Sequence, residues 1–424
     1  MSDGDLSARF RALWDTLLPI GADAAGLGWL RYGWSAAELA CRQWFRDQAT
    51  TRGLAVEPDR NGNLYAWWGD PDGTDAVVTG SHFDSVPHGG AYDGPLGIVS
   101  GLLAIDLLRE RGFAPRRPVA VAAFAEEEGS RFGVACLGSR LLTGEIAPER
   151  ARALTDADGV SLAGAMRAAG TDPAGIGADP DRLARISCFI ELHVEQGRAL
   201  DAPVGVATAI WPHGRWRLEV TGEGNHAGTT RMADRRDPML TAAYAVLAAN
   251  KEARLRGAHA TIGRLEVHPN ATNAVPSTVS AWLDARAPDS EGLRSLVAGI
   301  TDRVQQRAGR DRTSVVVRQE SISPAVAYDP ALAARMVAAL GDAPELPTGA
   351  GHDAGVLAGH VPAGMLFVRN PTGVSHAPAE TASDADCAAG VAALADVLAD
   401  LAGDPPAATG DDHPTRPLPA ARGG

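Results

Sequence analysis

Four stretches of the chain crowd histidine and carboxylate side chains into turn-like contexts. They are residues 80–97 (GSHFDSVPHGGAYDGPLG), 126–132 (EEEGSRF), 191–197 (ELHVEQG) and 375–380 (SHAPAE). His82 follows the apolar run 75–80 (DAVVTG), so it falls at the carboxyl end of a strand, where ligands gather in open α/β sheets. Asp84, two residues on, is spaced to supply the carboxylate that orients a ligating imidazole. Asp93 lies in a glycine-rich turn that can bend back to the same point. Three adjacent carboxylates, Glu126, Glu127 and Glu128, repel one another unless something positive neutralises them. A divalent metal does this and lowers the pKa of a bound water to about 7. One glutamate could then hold metal while its neighbour takes the proton of the water. With His193 and His376, the set suits one or two zinc ions, or manganese or cobalt. A lone loop histidine or a single glutamate run is ordinarily solvated surface; the recurrence of four such patches after strands outweighs that reading. His88, His213, His259, His268, His360 and His413 have no such company and read as ordinary residues.

The rest of the composition removes other chemistries. The 424 residues include 39 basic and 52 acidic side chains, a formal net charge of −13. That surface repels nucleic acid and anionic membranes. The only lysine is Lys251. A phosphate-binding loop therefore lacks its lysine. A Schiff base would have to use a residue that reads as solvated helix surface. Cys41, Cys136, Cys188 and Cys387 form no CxxC pair and read as free, mostly buried thiols in a reducing compartment. The start of the chain has no basic segment followed by an apolar one, and no run of about 18 apolar residues occurs, so a cytoplasmic protein is expected.

The elements that must carry these residues fall into two styles. Strand-like runs at 75–80, 117–125 and 188–194 alternate with a helix-like run at 97–111, which indicates an α/β domain with a mixed, largely parallel sheet. After about residue 210 the strands alternate instead: 215–221, 261–267, 278–287 and 313–319, with helices at 238–256 and 290–306. This β-α-β-β-α-β order predicts a ferredoxin-like module. The expected organisation is a discontinuous catalytic domain, 1–210 and 326–402, with a last helix at 387–401, and an inserted lid domain, 211–325. A tail rich in Pro, Gly and Ala, 403–424, is expected to be disordered.

The inserted module holds a fifth patch, 225–230 (NHAGTT). An imidazole at His226 could donate to a developing oxyanion. Asn273 and Arg286 lie in the same module. Arg286 reads equally as a clamp for a substrate carboxylate or as one half of a strand-surface salt bridge.

Taken together, GSHFDSVPHGGAYDG, EEEGSRF, HVEQG, NHAGTT, NATNAVPS, GAGHDA and SHAPAE resemble the hydantoinase/carbamoylase family of dinuclear zinc amidohydrolases, over about residues 55–400. That family lies within the aminoacylase-like metallopeptidases. The resemblance implies an α/β catalytic domain, and a ferredoxin-like lid that also makes a homodimer. It implies that His82 and His193 bind one metal ion, that Glu128 and His376 bind a second, and that Asp93 bridges the two. Glu127 is implied as general base, activating water and returning the proton to the leaving nitrogen. His226 is implied to act across the subunit interface, and Gln196, Asn273 and Arg286 to hold the substrate, with His352 as a weaker contact. The sequence departs from the family at Arg231, where proline is usual, at Ala377, where serine is usual, and in the aromatic, basic stretch around Trp211. The expected activity is metal-dependent hydrolysis of a linear, non-peptide C–N bond, with an N-carbamoyl-L-amino acid giving the amino acid, CO2 and ammonia. Allantoate amidohydrolase is the alternative. A dipeptidase or aminoacylase fits EEEGSRF and HAGTT less well, and a non-catalytic binding protein would have lost ligands. The expected partners are a small ureido or carbamoyl substrate and a second copy of the chain.

Overall fold

Parallel strands covered by helices on both faces read as near-continuous apolar runs, and the apolar runs of this chain become such strands. The computed structural model describes residues 3–403 apart from Asp342; the tail expected to be disordered lies, beyond Gly403, outside the described residues. The chain divides into two compact units: residues 1–206, 331–344 and 352 onward, and residues 207–330 with 345–351.

In chain order the strands are β1 (Ala55–Pro58), β2 (Leu64–Trp68), β3 (Ala76–His82), β4 (Val119–Phe124), β5 (Ile186–Val194), β6 (Val204–Ile210), β7 (His213–Thr221), β8 (Asn225–His226), β9 (His259–His268), β10 (Ala274–Val275), β11 (Thr278–Arg286), β12 (Ser314–Ser323), β13 (Val326–Ala327), β14 (Glu345–Thr348) and β15 (Ala363–Val368). The first unit orders its sheet β1-β2-β4-β3-β5-β15-β6. The four central strands, β4, β3, β5 and β15, run parallel. Antiparallel strands flank them on both sides. This is the mixed, largely parallel α/β sheet that the alternation predicts.

Strand β5 shows how one strand serves two purposes. Cys188, Ile190, Leu192 and Val194 enter the core shared with helices Pro95–Glu110 and Asp384–Gly403. Side chains alternate across a strand, so Phe189, Glu191 and His193 point to the other face. There Phe189 meets Phe124 edge-on, and Glu191 accepts the N–H of Ala354, in the short helix Asp353–Leu357.

The second unit is a four-stranded antiparallel sheet in the order β12-β7-β11-β9. Helices Pro238–Arg256 and Ser290–Asp311 pack on it through Trp216, Leu218, Leu283, Leu296, Ile300 and Val304. Strand β11 buries alternate residues, as a half-exposed strand should. The element order is β-α-β-β-α-β, with β8 and β10 as an added two-stranded ribbon. The second unit runs from Ala207 to Pro330 and also takes in residues 345–351, so 207–210, 326–330 and 345–351, which the sequence pattern assigns to the first domain, fall in it. The physical reason is β6, a single strand whose far half pairs with β13. Just past its end, Trp211 donates its backbone N–H to Thr348 of β14. Among the described residues no helix is long and apolar enough to cross a membrane.

The turn before helix Pro95–Glu110 requires glycine. Gly94 has φ +88°, and a methyl built on it would lie 2.4 Å from Cε1 of His82. Gly112 has a comparable φ of +72° but open space around it. Gly94→Ala should therefore destabilise the protein by about 1–3 kcal/mol from backbone strain, plus the displacement of His82. Gly112→Ala should cost only about 1 kcal/mol. Equal urea midpoints for the two variants would refute this account.

Candidate metal centre

The parallel strands deliver their chemistry at one end. His82 is the last residue of β3 and His193 the penultimate residue of β5; Glu127 and Glu128 follow β4, and His376 lies in the loop after β15. Asp93 comes from the glycine-rich loop after β3. Its two oxygens face different partners. Oδ1 lies 3.2 Å from Nε2 of His193 and 3.8 Å from Nε2 of His82. Oδ2 lies 3.2 Å from Nε2 of His376, which in turn is 3.6 Å from Oε2 of Glu128. Oε2 of Glu127 is 3.7 Å from Nε2 of His82. The side chains thus form two groups that share Asp93: His82–Asp93–His193 and Asp93–Glu128–His376.

The hydrogen bonds assign the tautomers. Nδ1 of His82 lies 2.9 Å from the carbonyl of Asp84, and Nδ1 of His193 2.9 Å from that of Val194. A carbonyl only accepts, so each Nδ1 carries hydrogen. In the neutral ring this leaves a lone pair on Nε2, aimed at carboxylate oxygens. Nε2 of His82, Nε2 of His193 and Oε1 of Glu128 are buried without a hydrogen-bond partner. Lone pairs facing lone pairs call for a cation between them. Ligands about 2.0–2.1 Å from a tetrahedral zinc stand about 3.3 Å apart, close to the 3.2–3.8 Å spacings here. The residues present fit a divalent metal.

The titration behaviour shows the same demand for positive charge, met by protons on His193 and His376 when no ion supplies it. Burial pushes His82 down to about 4, against the opposing pull of Asp93, which keeps the ring neutral and able to ligate. Burial opposes charge on His193 and His376 too, but the Asp93 carboxylate more than offsets it and lifts each to about 9. Asp93 itself is held well below the usual carboxylate range: burial would raise it, but hydrogen bonds from His193 and His376 win. Glu127 and Glu128 are held well above that range, first by burial and then by neighbouring carboxylates. Only added positive charge would let all these acids ionise together.

Other acids of the motifs act as fasteners. The Asp84 carboxylate does not orient His82, which its carbonyl does instead. It accepts the backbone N–H groups of Glu127 and Glu128, at 3.0 and 2.9 Å. Glu126 turns away from the cluster and accepts the amides of Arg131 and Phe132. Glu380 accepts the amides of Tyr92 and Asp93, both at 3.0 Å, and so fixes the loop that presents Asp93. Glu191 accepts from Ser81 and from the Ala354 amide. Two neighbours of the cluster escape the sequence pattern. Asp353 is fully buried and bonded to Ser139, and its charge helps raise Glu127. The thiol of Cys136 donates to Oε1 of Glu127 at 3.1 Å. Asp353 stands in the GAGHDA motif beside His352, which is the signal for it. Nothing in the local sequence distinguishes Cys136 from a bland buried thiol.

Gln196 donates to Oδ2 of Asp93 at 2.8 Å, which puts it against the metal cluster. His352 is buried against the ring of His193, centroids 4.6 Å apart. With Glu191 and His193 it forms a third set of close donor atoms. In the second unit, His226 is exposed and its Nδ1 accepts the N–H of Gly228 at 3.0 Å, so Nε2 carries the hydrogen and is free to donate. Asn273 sits beside it, its carbonyl bonded to the Ala227 amide. Arg286 lies at the opposite end of β11, where Asp284 and the carbonyl of Gly349 engage its guanidinium. The Asp284 pair is the strand-surface salt bridge. Trp211 stacks on His259, centroids 5.4 Å apart, and Arg231 is exposed.

The sequence profile described as peptidase family M20/M25/M40 matches residues 75–400. The chain is 36% identical to the N-carbamoyl-L-amino acid amidohydrolase of Geobacillus stearothermophilus over 395 residues, 90% of this chain and 96% of that protein. It is 35% identical to the allantoate amidohydrolase of Escherichia coli, over 93% of this chain and 98% of that one. A crystal structure of an amidase of the hydantoinase/carbamoylase family from Burkholderia multivorans superimposes with a TM-score of 0.82 at 30% identity, covering 94% of this chain and 98% of that one.

Sharing of Asp93 has a direct test. Asp93→Ala should strip more divalent metal than His376→Ala, because Asp93 serves both groups and His376 only one. Atomic emission on protein dialysed after zinc loading reads the difference. Equal losses in the two variants would sink the shared-ligand reading.

Proposed function

The chain belongs to peptidase family M20/M25/M40 and is an amidohydrolase of the carbamoylase and allantoate amidohydrolase kind, and from that premise we propose that it hydrolyses an N-carbamoyl-L-amino acid to the amino acid, CO2 and ammonia at a pair of divalent metal ions, zinc by preference. The observation that carries this reading is Asp93, with one oxygen toward His82 and His193 and the other toward His376. His82 and His193 would hold one ion, Glu128 and His376 the other, and Asp93 both. When bound, the metal supplies Lewis acidity toward the carbamoyl oxygen and toward water.

The chain's own groups do the rest. Glu127 has one oxygen engaged by the Cys136 thiol. That leaves Oε2, next to His82, to take a proton from the attacking water and deliver it to the leaving nitrogen. A buried carboxylate with a raised pKa suits both halves of that transfer. Nε2–H of His226 is the donor for the developing oxyanion. Gln196, Asn273, Arg286 and His352 are the proposed substrate contacts. Arg286 would use the N–H groups left over from Asp284 and Gly349 to hold the α-carboxylate.

These assignments favour a homodimer. Strand β11 has nine residues, Thr278–Arg286, and at about 3.3 Å per residue it spans roughly 27 Å. His226 and Asn273 lie beyond its first end and Arg286 at its last. One small substrate cannot touch both ends within a single copy, so these contacts together require a second copy to supply His226 and Asn273. The lid also exposes Leu247, Leu255 and Leu265, apolar surface that a second copy would cover.

Glu127→Gln should retain metal and lose at least about 10²-fold in turnover; near-normal ammonia release would remove Glu127 from the role. A panel of N-carbamoyl-L-amino acids, N-carbamoyl-β-alanine and allantoate, each assayed with and without chelator, decides the substrate. Chelator-sensitive release from allantoate alone would replace the proposed substrate with the alternative. For the dimer, mixing inactive His226→Ala with inactive Glu127→Gln should restore part of the activity through hybrid dimers. No restoration despite demonstrated exchange would exclude action across the interface.

A further inference from the structure

A cavity of about 610 Å³ lies in the first unit, lined in part by Trp34, Arg42, Arg46, Arg60, Asp59 and Asp172. Three arginines line this one hollow. The two acids do not balance them in the ordinary way. The carboxylate of Asp59 is occupied by the amides of Asn61 and Asn63 and by the side chain of Asn63. That of Asp172 caps the amide of Ala174.

Two of the arginines are held in place with bonding capacity left over, and the third is paired to one side. Arg42 is 9% exposed, and its guanidinium stacks 4.3 Å from the centre of the Trp34 ring. It pairs with Glu38 and donates Nη1 to the carbonyl of Gly62, which leaves Nη2 without a hydrogen-bond partner. Trp34 packs on Gly62, where any larger residue would strike the indole at 2.4 Å, so this wall is rigid. Arg46, half-buried one helical turn on, makes no side-chain hydrogen bond or ion pair among the described residues. Burial and the neighbouring charge of Arg42 both disfavour its proton. Arg60 reaches Asp179 through Nε at 3.3 Å. A buried unpartnered donor and a half-buried cation beside another cation are both costly. An oxyanion relieves both costs at once, since guanidinium groups match carboxylate and phosphate oxygens.

We propose that this cavity binds the oxyanion of a small molecule, a phosphate or a carboxylate, held by Arg42, Arg46 and Arg60 and separate from the metal centre. None of these residues belongs to the catalytic set.

Isothermal titration of the full-length, metal-loaded protein tests it, with inorganic phosphate and, separately, succinate as probes and chloride balancing the ionic strength. Saturable binding of at least one probe is expected, weakened about tenfold or more by Arg46→Glu and by Arg60→Glu. Arg46→Gln, which removes the charge without reversing it, should weaken binding by a smaller factor. Ammonia release measured without either probe should be unchanged in all three. Binding of phosphate alone assigns a phosphoryl ligand, and binding of succinate alone a carboxylate. The proposal fails if neither probe binds saturably. It also fails if Arg46→Glu binds as tightly as the parent, which would put the anion elsewhere, for example at the metals.

Discussion

Carboxylate charge cannot be buried unaccompanied, and this molecule buries a great deal of it in one place. Asp93, Glu127, Glu191 and Asp353 are each at most 6% exposed, and the Glu128 side chain is nearly as enclosed. Desolvating even one ionised carboxylate is expensive, and like charges at short range compound the cost. The protein gathers histidine Nε2 atoms on the same space, where a proton or a divalent cation would neutralise the acids. This end of the sheet is arranged around that need for positive charge. The Gly94 turn lets His82 and Asp93 approach, and the parallel strands end together at the rim.

The same residue type performs two opposed tasks within a few ångströms. Asp93, Glu127 and Glu128 turn their oxygens toward the histidines. Asp84, Glu126 and Glu380 turn theirs toward backbone amides and hold the loops that carry the first group. Asp84 is the clearest instance: one carboxylate fixes the amides of both Glu127 and Glu128, so these two neighbouring glutamates share one anchor. The loops are irregular, yet their peptide groups are satisfied by acids that are themselves buried.

This division explains what the sequence could and could not reveal. The parallel strands, the ferredoxin-like order and the clustering of His82, Asp93, Glu128, His193 and His376 were all legible. Apolar runs, alternation and residue type carry the strands and the patches directly; the choice of Glu128 among three adjacent glutamates came from the family resemblance. The choice between Asp84 as a partner of His82 and Asp84 as a loop anchor was not legible, because it depends on which way a side chain turns. Cys136 was invisible for a related reason. Its importance lies in a contact with Glu127 made when residues 126–136 fold back, and a thiol nine residues away looks like core filling. The assignment of 345–351 to the second unit required knowing that β6 continues through the boundary, a tertiary fact.

The alternation of β5 has a consequence for tolerance to insertion and deletion. Its odd and even residues belong to two incompatible environments, one hydrocarbon and one ionic. A bulge near Ser187, where the pairing with β3 shifts register, sets the phase of everything that follows. Losing or gaining one residue at the start of this stretch would turn Glu191 and His193 into the hydrocarbon layer and Leu192 toward the His–carboxylate cluster. Every later position would be wrong at once. The strand is a frame-sensitive message in three dimensions, whereas open turns such as that at Gly112 can absorb a change in length without altering the phase of any neighbour.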